Sequence, residues 1–199
     1  MNVHALDIKP LDKDLKKSLI DYTINRYNNK VPFDIQFTEN VPQDISSPFY
    51  VDTEKWNKQY GTSGGVRFYV IPADIEKEII NFYKNDIIGH KDSYRLIQIV
   101  TGGKYIAPHI DDTASRRKGL IHLLQADANT QTSWYKLKDE WSTYSAPENT
   151  TIPYDTIEKI ESHNLKEDVW YKMTYEVIHG VEELTDQLRI ALTCNNPSF

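Results

Sequence analysis

Residues 93–126 read SYRLIQIVTGGKYIAPHIDDTASRRKGLIHLLQA. Two apolar runs, LIQIV and GLIHLL, flank a turn-rich middle that carries His109 and Asp111 two residues apart. Both runs are apolar on each alternating face, as expected of strands buried on both sides. Gly102-Gly103 and Pro108 interrupt the middle. Side chains at i and i+2 of an extended chain point the same way, with Cα atoms about 6.5–7 Å apart. His109 and Asp111 can therefore converge on one ion while Ile110 points away. The stretch is either half of a metal site between two core strands or an ordinary polar turn.

Working outward, more strand-like segments follow: TSWYKL (132–137), DTIEKIES (155–162), VWYKMTYEVI (169–178) and LRIALTC (188–194), separated by loops rich in Gly, Asn, Asp, Pro or Ser. Upstream, VRFYVI (66–71) reads as another strand. Leu11, Leu15, Leu19 (or Ile20) and Tyr22 recur at three-to-four spacing, which predicts an amphipathic helix over 10–28. A second helix is expected over 72–87, with Pro72 at its start, where a missing N–H does no harm. Residues 31–65, rich in Pro, Asn, Asp, Ser and Gly, read as irregular. Two helices followed by a run of strands predict a sheet sandwich or open barrel with helices packed on one outer face. The whole chain, 1–199, reads as a single domain, with a helical and irregular part over 1–92 and a β core over 93–199.

The net charge of −6 gives no electrostatic drive toward nucleic acid or anionic membrane, and Arg116-Arg117-Lys118 is too short to be a footprint alone. The single cysteine, Cys194, excludes a disulfide framework and a thiolate zinc site. The N-terminal MNVHALDIKPLDKD has no apolar stretch of the signal-peptide kind, and no run reaches bilayer-spanning length. These features predict a soluble, cytoplasmic protein.

A third metal ligand must come from elsewhere, and His179 is the candidate. With VWYKMTYEVIH read as one strand, Val169, Tyr171, Met173, Tyr175, Val177 and His179 share an apolar, aromatic face that should line the interior. Two His and one carboxylate with open positions opposite form the facial triad of non-haem Fe(II) oxygenases. A second His-x-Asp pair, His90 and Asp92, lies in the polar connection GHKDS and reads as a solvated turn. His4 and His163 read as surface residues. His122, inside LIHLL on the face of Leu120 and Leu124, reads either as a core histidine held by a hydrogen bond or as a group supporting the site or its cosubstrate.

The C-terminal half, from about 94 to 195, resembles the Fe(II)- and 2-oxoglutarate-dependent dioxygenases, and within them the prolyl hydroxylase and aspartyl/asparaginyl β-hydroxylase-like branch. GGKYIAPHIDD is similar to the family's Gly followed by Pro-His-x-Asp at the lip of a strand. HGVEELTDQLRIALT places Arg189 ten residues after His179, in an apolar strand. The resemblance implies a double-stranded β-helix (a jelly-roll or cupin-like fold) with the N-terminal helices packed on one sheet. It implies Fe(II) on His109, Asp111 and His179, and 2-oxoglutarate as cosubstrate with its far carboxylate on Arg189, through paired charge-assisted hydrogen bonds. Arg189, Ala191 and Thr193 should then face the interior while Leu188, Ile190 and Leu192 pack under the helices. The family's Arg beyond the metal pair corresponds to Arg116 or Arg117. Where the family often has an aromatic three residues before the metal-binding His, this chain has Ile106 with Tyr105 beside it.

On that resemblance the activity is hydroxylation of an amino acid or peptidyl residue with O2, releasing succinate and CO2. Tyr105 and Trp134 are candidates to line the substrate pocket, alongside Tyr94, Gln98 and Tyr135, with plain sheet packing as the competing role. Two other readings keep the architecture: a cupin-like metalloenzyme that does not use 2-oxoglutarate, and a jelly-roll binding module without metal chemistry.

Overall fold

The computed structural model describes residues 2–36, 45–111 and 118–196. Strand β1 (Val3–Ala5) leads into helix α1 (Lys13–Asn28), then β2 (Ile35–Gln36), helix α2 (Thr53–Tyr60), β3 (Gly65–Val70) and helix α3 (Ala73–Phe82). Strands dominate thereafter: β4 (Tyr94–Thr101), β5 (Ile106–His109), β6 (Lys118–Gln125), β7 (Gln131–Leu137), β8 (Ile157–His163), β9 (Trp170–Thr174), β10 (His179–Glu182) and β11 (Arg189–Asn195). They form two antiparallel sheets, one of seven strands in the order β1-β9-β6-β11-β4-β3-β2 and one of four in the order β5-β10-β7-β8.

Local chemistry sets the helix ends. Asp12 caps α1 by accepting from the N–H groups of Asp14 and Leu15, and Leu15, Leu19 and Thr23 form its buried stripe. Asp74 and Glu76 sit in the first turn of α3, where carboxylates favour the helix dipole. α2 is capped by Asp52 and ends at Gly61, whose φ of 81° suits a residue without Cβ.

The large sheet is apolar on both faces, as its sequence predicts. On one, Ile97, Ile99, Leu120, Leu124, Ile190 and Leu192 meet Leu11, Leu15 and Leu19 from the α1 side and Ile79 of α3. Leu19 is fully buried, and truncating such a side chain to Ala costs about 2–5 kcal/mol. On the other face, Ile121, Leu123 and Ala191 pack against Trp134 of the small sheet, and Val100 against Ile106 and Val181. The architecture is thus mainly β with flanking helices packed on one sheet. The outer face of the small sheet has its own cover of Phe49, Tyr135, Ile152, Ile157 and Ile178. Trp56 of α2 stacks nearby on Tyr154, ring centroids 5.3 Å apart.

Three expectations need correction. Residues 169–179 are not one strand: β9 pairs with β1 and β6 in the large sheet, whereas β10 lies between β5 and β7 in the small one. The chain changes sheets between Thr174 and His179, and such a corner preserves the alternation that suggested continuity. The stretch 31–65 is not wholly irregular, since it contains α2. That helix buries none of its residues, so no apolar periodicity announced it. The second helix stops at Phe82 and is followed by a separate 3-10 turn over Ile87–Gly89. Among the described residues, no helix is long and apolar enough to cross a membrane.

Candidate metal centre

β5 and β10 are antiparallel neighbours in which His109 stands directly opposite His179. Directly opposed side chains project from the same side of a sheet, here the side facing the large sheet. Gly180 permits the close pairing, because a Cβ there would come 2.8 Å from the Ile106 carbonyl oxygen. Asp111 lies just beyond β5, its N–H donating to the Tyr175 carbonyl at 3.3 Å. One ligand atom each from His109, Asp111 and His179 can be chosen so that all lie within 4.8 Å of one another. His179 is buried; the other two are half-buried.

The tautomers are set by the backbone. His109 Nδ1 lies 2.8 Å from the Ala107 carbonyl oxygen and His179 Nδ1 2.8 Å from that of Val177. A carbonyl only accepts, so each Nδ1 carries the proton and, in the neutral ring, each Nε2 presents a lone pair. Those Nε2 atoms stand 3.4 Å (His109) and 4.0 Å (His179) from Asp111 Oδ1. These separations are long for charge-assisted hydrogen bonds. They approach the roughly 3 Å spacing of donors that share an ion at about 2.0–2.2 Å each. Two imidazoles and a carboxylate suit a first-row divalent metal such as Fe(II), and the donor set includes no thiolate.

Arg189 opens β11 and is 4% exposed. Its strand neighbours Ile190 and Leu192 enter the helix layer while Ala191 packs with Trp134, so Arg189 is on the face turned to the small sheet. Among the described residues its guanidinium has no hydrogen-bond or ion-pair partner, and Nε is fully enclosed. Burial lowers its pKa to about 10, with the nearby Tyr175 phenol opposing that shift. A buried cation without an anion is expensive to keep.

No protein-family model matches the sequence, and no curated protein matches it. Solved structures do. A prolyl hydroxylase in complex with a hypoxia inducible factor oxygen degradation domain peptide fragment, from Trichoplax adhaerens, aligns over 97% of this chain and 82% of its own, with 12% identity and a TM-score of 0.52. The chain shares the fold of a prolyl hydroxylase. A Pseudomonas putida prolyl-4-hydroxylase aligns over 97% of this chain and 90% of its own, with 12% identity and a TM-score of 0.49. A non-haem α-ketoglutarate-dependent carbocyclase from nogalamycin biosynthesis aligns over 97% and 78%, with 8% identity and a TM-score of 0.49. Both are too loose to bear on the fold.

Within this prolyl hydroxylase fold, other sequence candidates fall elsewhere. His122 is fully buried on the helix-facing side of β6, with Leu120 and Leu124. Its ring lies 4.9 Å from that of Trp170, and Nε2 accepts from the Leu11 N–H at 3.4 Å. The cosubstrate role is corrected: the sheet itself separates His122 from the face that carries Arg189. Tyr105 is drawn to α2, its hydroxyl accepting from Trp56 Nε1 at 2.6 Å and donating to the Gly61 carbonyl at 3.0 Å. Trp134 is fully buried opposite His179 in the strand pairing, and its indole N–H donates to the Thr174 carbonyl. It forms solid core beside the ligands. Arg116 and Arg117 lie outside the described residues. His90 and Asp92 are exposed and pair with each other in a turn.

Sequence reasoning passed over Tyr175. Its carbonyl ties down Asp111, its ring lies 5.6 Å from that of His179, and its phenol lies near enough to Arg189 to oppose the lowering of that side chain's pKa by burial. The available signal was its parity with His179 in the same alternating run.

Proposed function

We propose that the protein is an Fe(II)- and 2-oxoglutarate-dependent dioxygenase that hydroxylates an amino acid or a peptidyl residue. The carrying observation is the pairing, between the two sheets, of a His-Asp-His cluster with a buried guanidinium that no anion among the described residues neutralises. In this reading His109 Nε2, Asp111 Oδ1 and His179 Nε2 hold Fe(II), and Arg189 anchors the far carboxylate of 2-oxoglutarate. The bound metal supplies oxygen activation coupled to decarboxylation of the cosubstrate, with release of succinate and CO2. The protein's own part is positional. Ala107 and Val177 fix the imidazole tautomers, and Tyr175 holds the Asp111 backbone. Trp134 and the aliphatic side chains of both sheets keep bulk water from the reacting centre.

The proposal includes a double-stranded β-helix as the form of the sandwich, a single domain with its site in the later strands, and action in the cytoplasm. The shared fold with a prolyl hydroxylase that holds a peptide supports a peptidyl or amino-acid substrate. Neither nucleic acid nor membrane is an expected partner.

The test is anaerobic addition of Fe(II) and 2-oxoglutarate to the purified protein, followed by its visible charge-transfer absorption. The band is expected to appear, to vanish in His109→Ala and to weaken in Arg189→Met. A metal-loaded protein with no band leaves a cupin-like metalloenzyme in which Arg189 has another use. A protein that takes up no metal is a binding module.

A further inference from the structure

In β11, Ile190, Leu192 and Cys194 enter the helix layer, so Arg189, Ala191, Thr193 and Asn195 turn to the small sheet. On the neighbouring β4, Tyr94 stands directly opposite Asn195 and Val100 opposite Arg189. The two ends of this strand pair differ. At the Arg189 end, Val100 is 4% exposed and packs on Ile106 and Val181. At the Asn195 end, Tyr94 is 55% exposed. The sandwich is shut at one end and open at the other.

The metal centre lies on the way to the open end. β5 passes Val100 at Ile106, and His109 and Asp111 follow beyond it. Asp111 is tied to the Tyr175 carbonyl. A Cβ on Gly119 would collide with both the Tyr175 ring and Asn195 Oδ1, so these two side chains share the space above the bare Gly119 backbone. Of the polar residues at this end of β11, Thr193 is satisfied, its hydroxyl donating to the Leu96 carbonyl at 3.2 Å. Asn195 is not. Its Oδ1 is enclosed and has no hydrogen-bond partner among the described residues. Leaving such an acceptor unpaired costs about 1–3 kcal/mol. A cosubstrate held at Arg189 does not explain it. Arg189 and Asn195 are the first and last residues of β11, about 20 Å apart along a strand, far more than the length of 2-oxoglutarate.

We propose that Asn195 is the substrate-recognising side chain at the mouth of the sandwich, and that the substrate is a peptide, one of whose main-chain amide groups pairs with the Asn195 carboxamide. The inference rests on the function proposed above. A carboxamide accepts through Oδ1 and donates through Nδ2, so it matches both sides of a peptide group without adding charge. A free amino acid would bring an ammonium and a carboxylate instead. Neither meets an opposite charge in Tyr94, Leu96, Gly119 or Tyr175, and an unpaired charge is costly to take from water. The exposed Tyr94 ring beside the amide gives a neighbouring residue of the peptide an apolar floor.

The experiment uses the whole chain loaded with Fe(II) and 2-oxoglutarate. The probes are the free amino acids and pools of pentapeptides sorted by central residue, acetylated at one end and amidated at the other. Oxygen-dependent succinate release is measured. Without oxygen, peptide binding is read from the change in the visible charge-transfer band, and 2-oxoglutarate affinity by calorimetry. At least one peptide pool is expected to stimulate release more strongly than any free amino acid. Asn195→Leu should raise the half-saturating concentration of that pool about 10-fold, with 2-oxoglutarate affinity unchanged and no fall in melting temperature. Asn195→Asp keeps an acceptor and adds a charge that can meet an ammonium, so it should reduce the preference for capped peptides over free amino acids. A free amino acid as the best wild-type stimulant overturns the inference, as does a wild type that no pool stimulates. Unchanged peptide dependence in Asn195→Leu overturns it too. So does a joint loss of peptide response and 2-oxoglutarate affinity with a lower melting temperature, the signature of a purely structural amide. If metal-loaded wild type binds no 2-oxoglutarate, the proposed function falls and this inference with it. If it binds and the peptide results fail, only this inference falls.

Discussion

Arg95 and Arg189 lie on adjacent strands of one sheet, 5% and 4% exposed, on opposite faces. Arg95 points to the helix side and is fully engaged. Nη1 donates to the carbonyls of Ile88 (2.8 Å) and His90 (3.2 Å), and Nε and Nη2 reach Glu76 at 3.3 and 3.2 Å. Arg189 points to the small sheet, where no described residue answers it. The histidines do not repeat that division, because His122 Nδ1 is buried without a hydrogen-bond partner among the described residues. His122, on the helix side, accepts from a backbone N–H, whereas His179 donates to one carbonyl and leaves Nε2 for the cluster. The two arginines are therefore closed into the structure on one face and, among the described residues, left open on the other. Burial alone does not mark a functional residue.

The largest expected effect tests the open face. Asp111→Ala or His179→Ala should lower substrate-stimulated succinate release by on the order of 100-fold or more, with little change in the melting temperature of the metal-free protein. Turnover that survives both changes would break the contrast at its centre. On the closed face, Arg95→Met should destabilise the fold by about 3 kcal/mol, because it strips two carbonyls and Glu76 of their donor. Urea unfolding measures this, and the folded protein should keep its affinity for 2-oxoglutarate.

Next comes a pH effect. Burial lowers the His122 pKa from its ordinary 6.5 to about 4. The unfolded chain therefore takes up the proton first as pH falls. His122 leaves stability untouched above about pH 6.5 and erodes it between 6.5 and 4, by about 1.4 kcal/mol per pH unit. Urea midpoints at pH 7, 6 and 5 should show this slope, and His122→Leu should flatten it. A slope unchanged in His122→Leu assigns the acid sensitivity to other groups.

The smallest effect sharpens the comparison most, because its sign is unusual. Arg189→Met should raise the melting temperature of the ligand-free protein by roughly 2–4 °C while weakening 2-oxoglutarate binding about 10-fold. A fall in both would place Arg189 with Arg95 as a structural residue.

Much of this was legible in the sequence. LIQIV, GLIHLL and RIALTC are apolar enough to be core strands whatever surrounds them, and His109-Ile-Asp sets two donors on one side of an extended chain. The alternation in β11 placed Arg189 opposite Ile190 and Leu192, as found. The facing of His122 was not legible. Both faces of β6 are apolar, so alternation groups His122 with Leu120 and Leu124 without saying which face meets the small sheet. Nor could the corner at 175–178 be read, because a period of two runs unbroken from Tyr171 to His179. The partners of Arg95 come from a turn and α3, and only the folded chain shows that Arg189 has no equivalent among the described residues.

The strand order has a consequence for how the chain is made. β11, the latest strand among the described residues, lies between β6 and β4 and not at an edge. Until residues 189–195 have left the ribosome, β4 and β6 each present an open, apolar edge, the kind of template on which chains aggregate. Its pairing with β4 spans nearly a hundred residues, a distant closure of the sort that slows folding to milliseconds or seconds. Because Arg189 is the first residue of that strand, the nascent protein gains the guanidinium proposed to hold 2-oxoglutarate in the same step that seals its largest sheet.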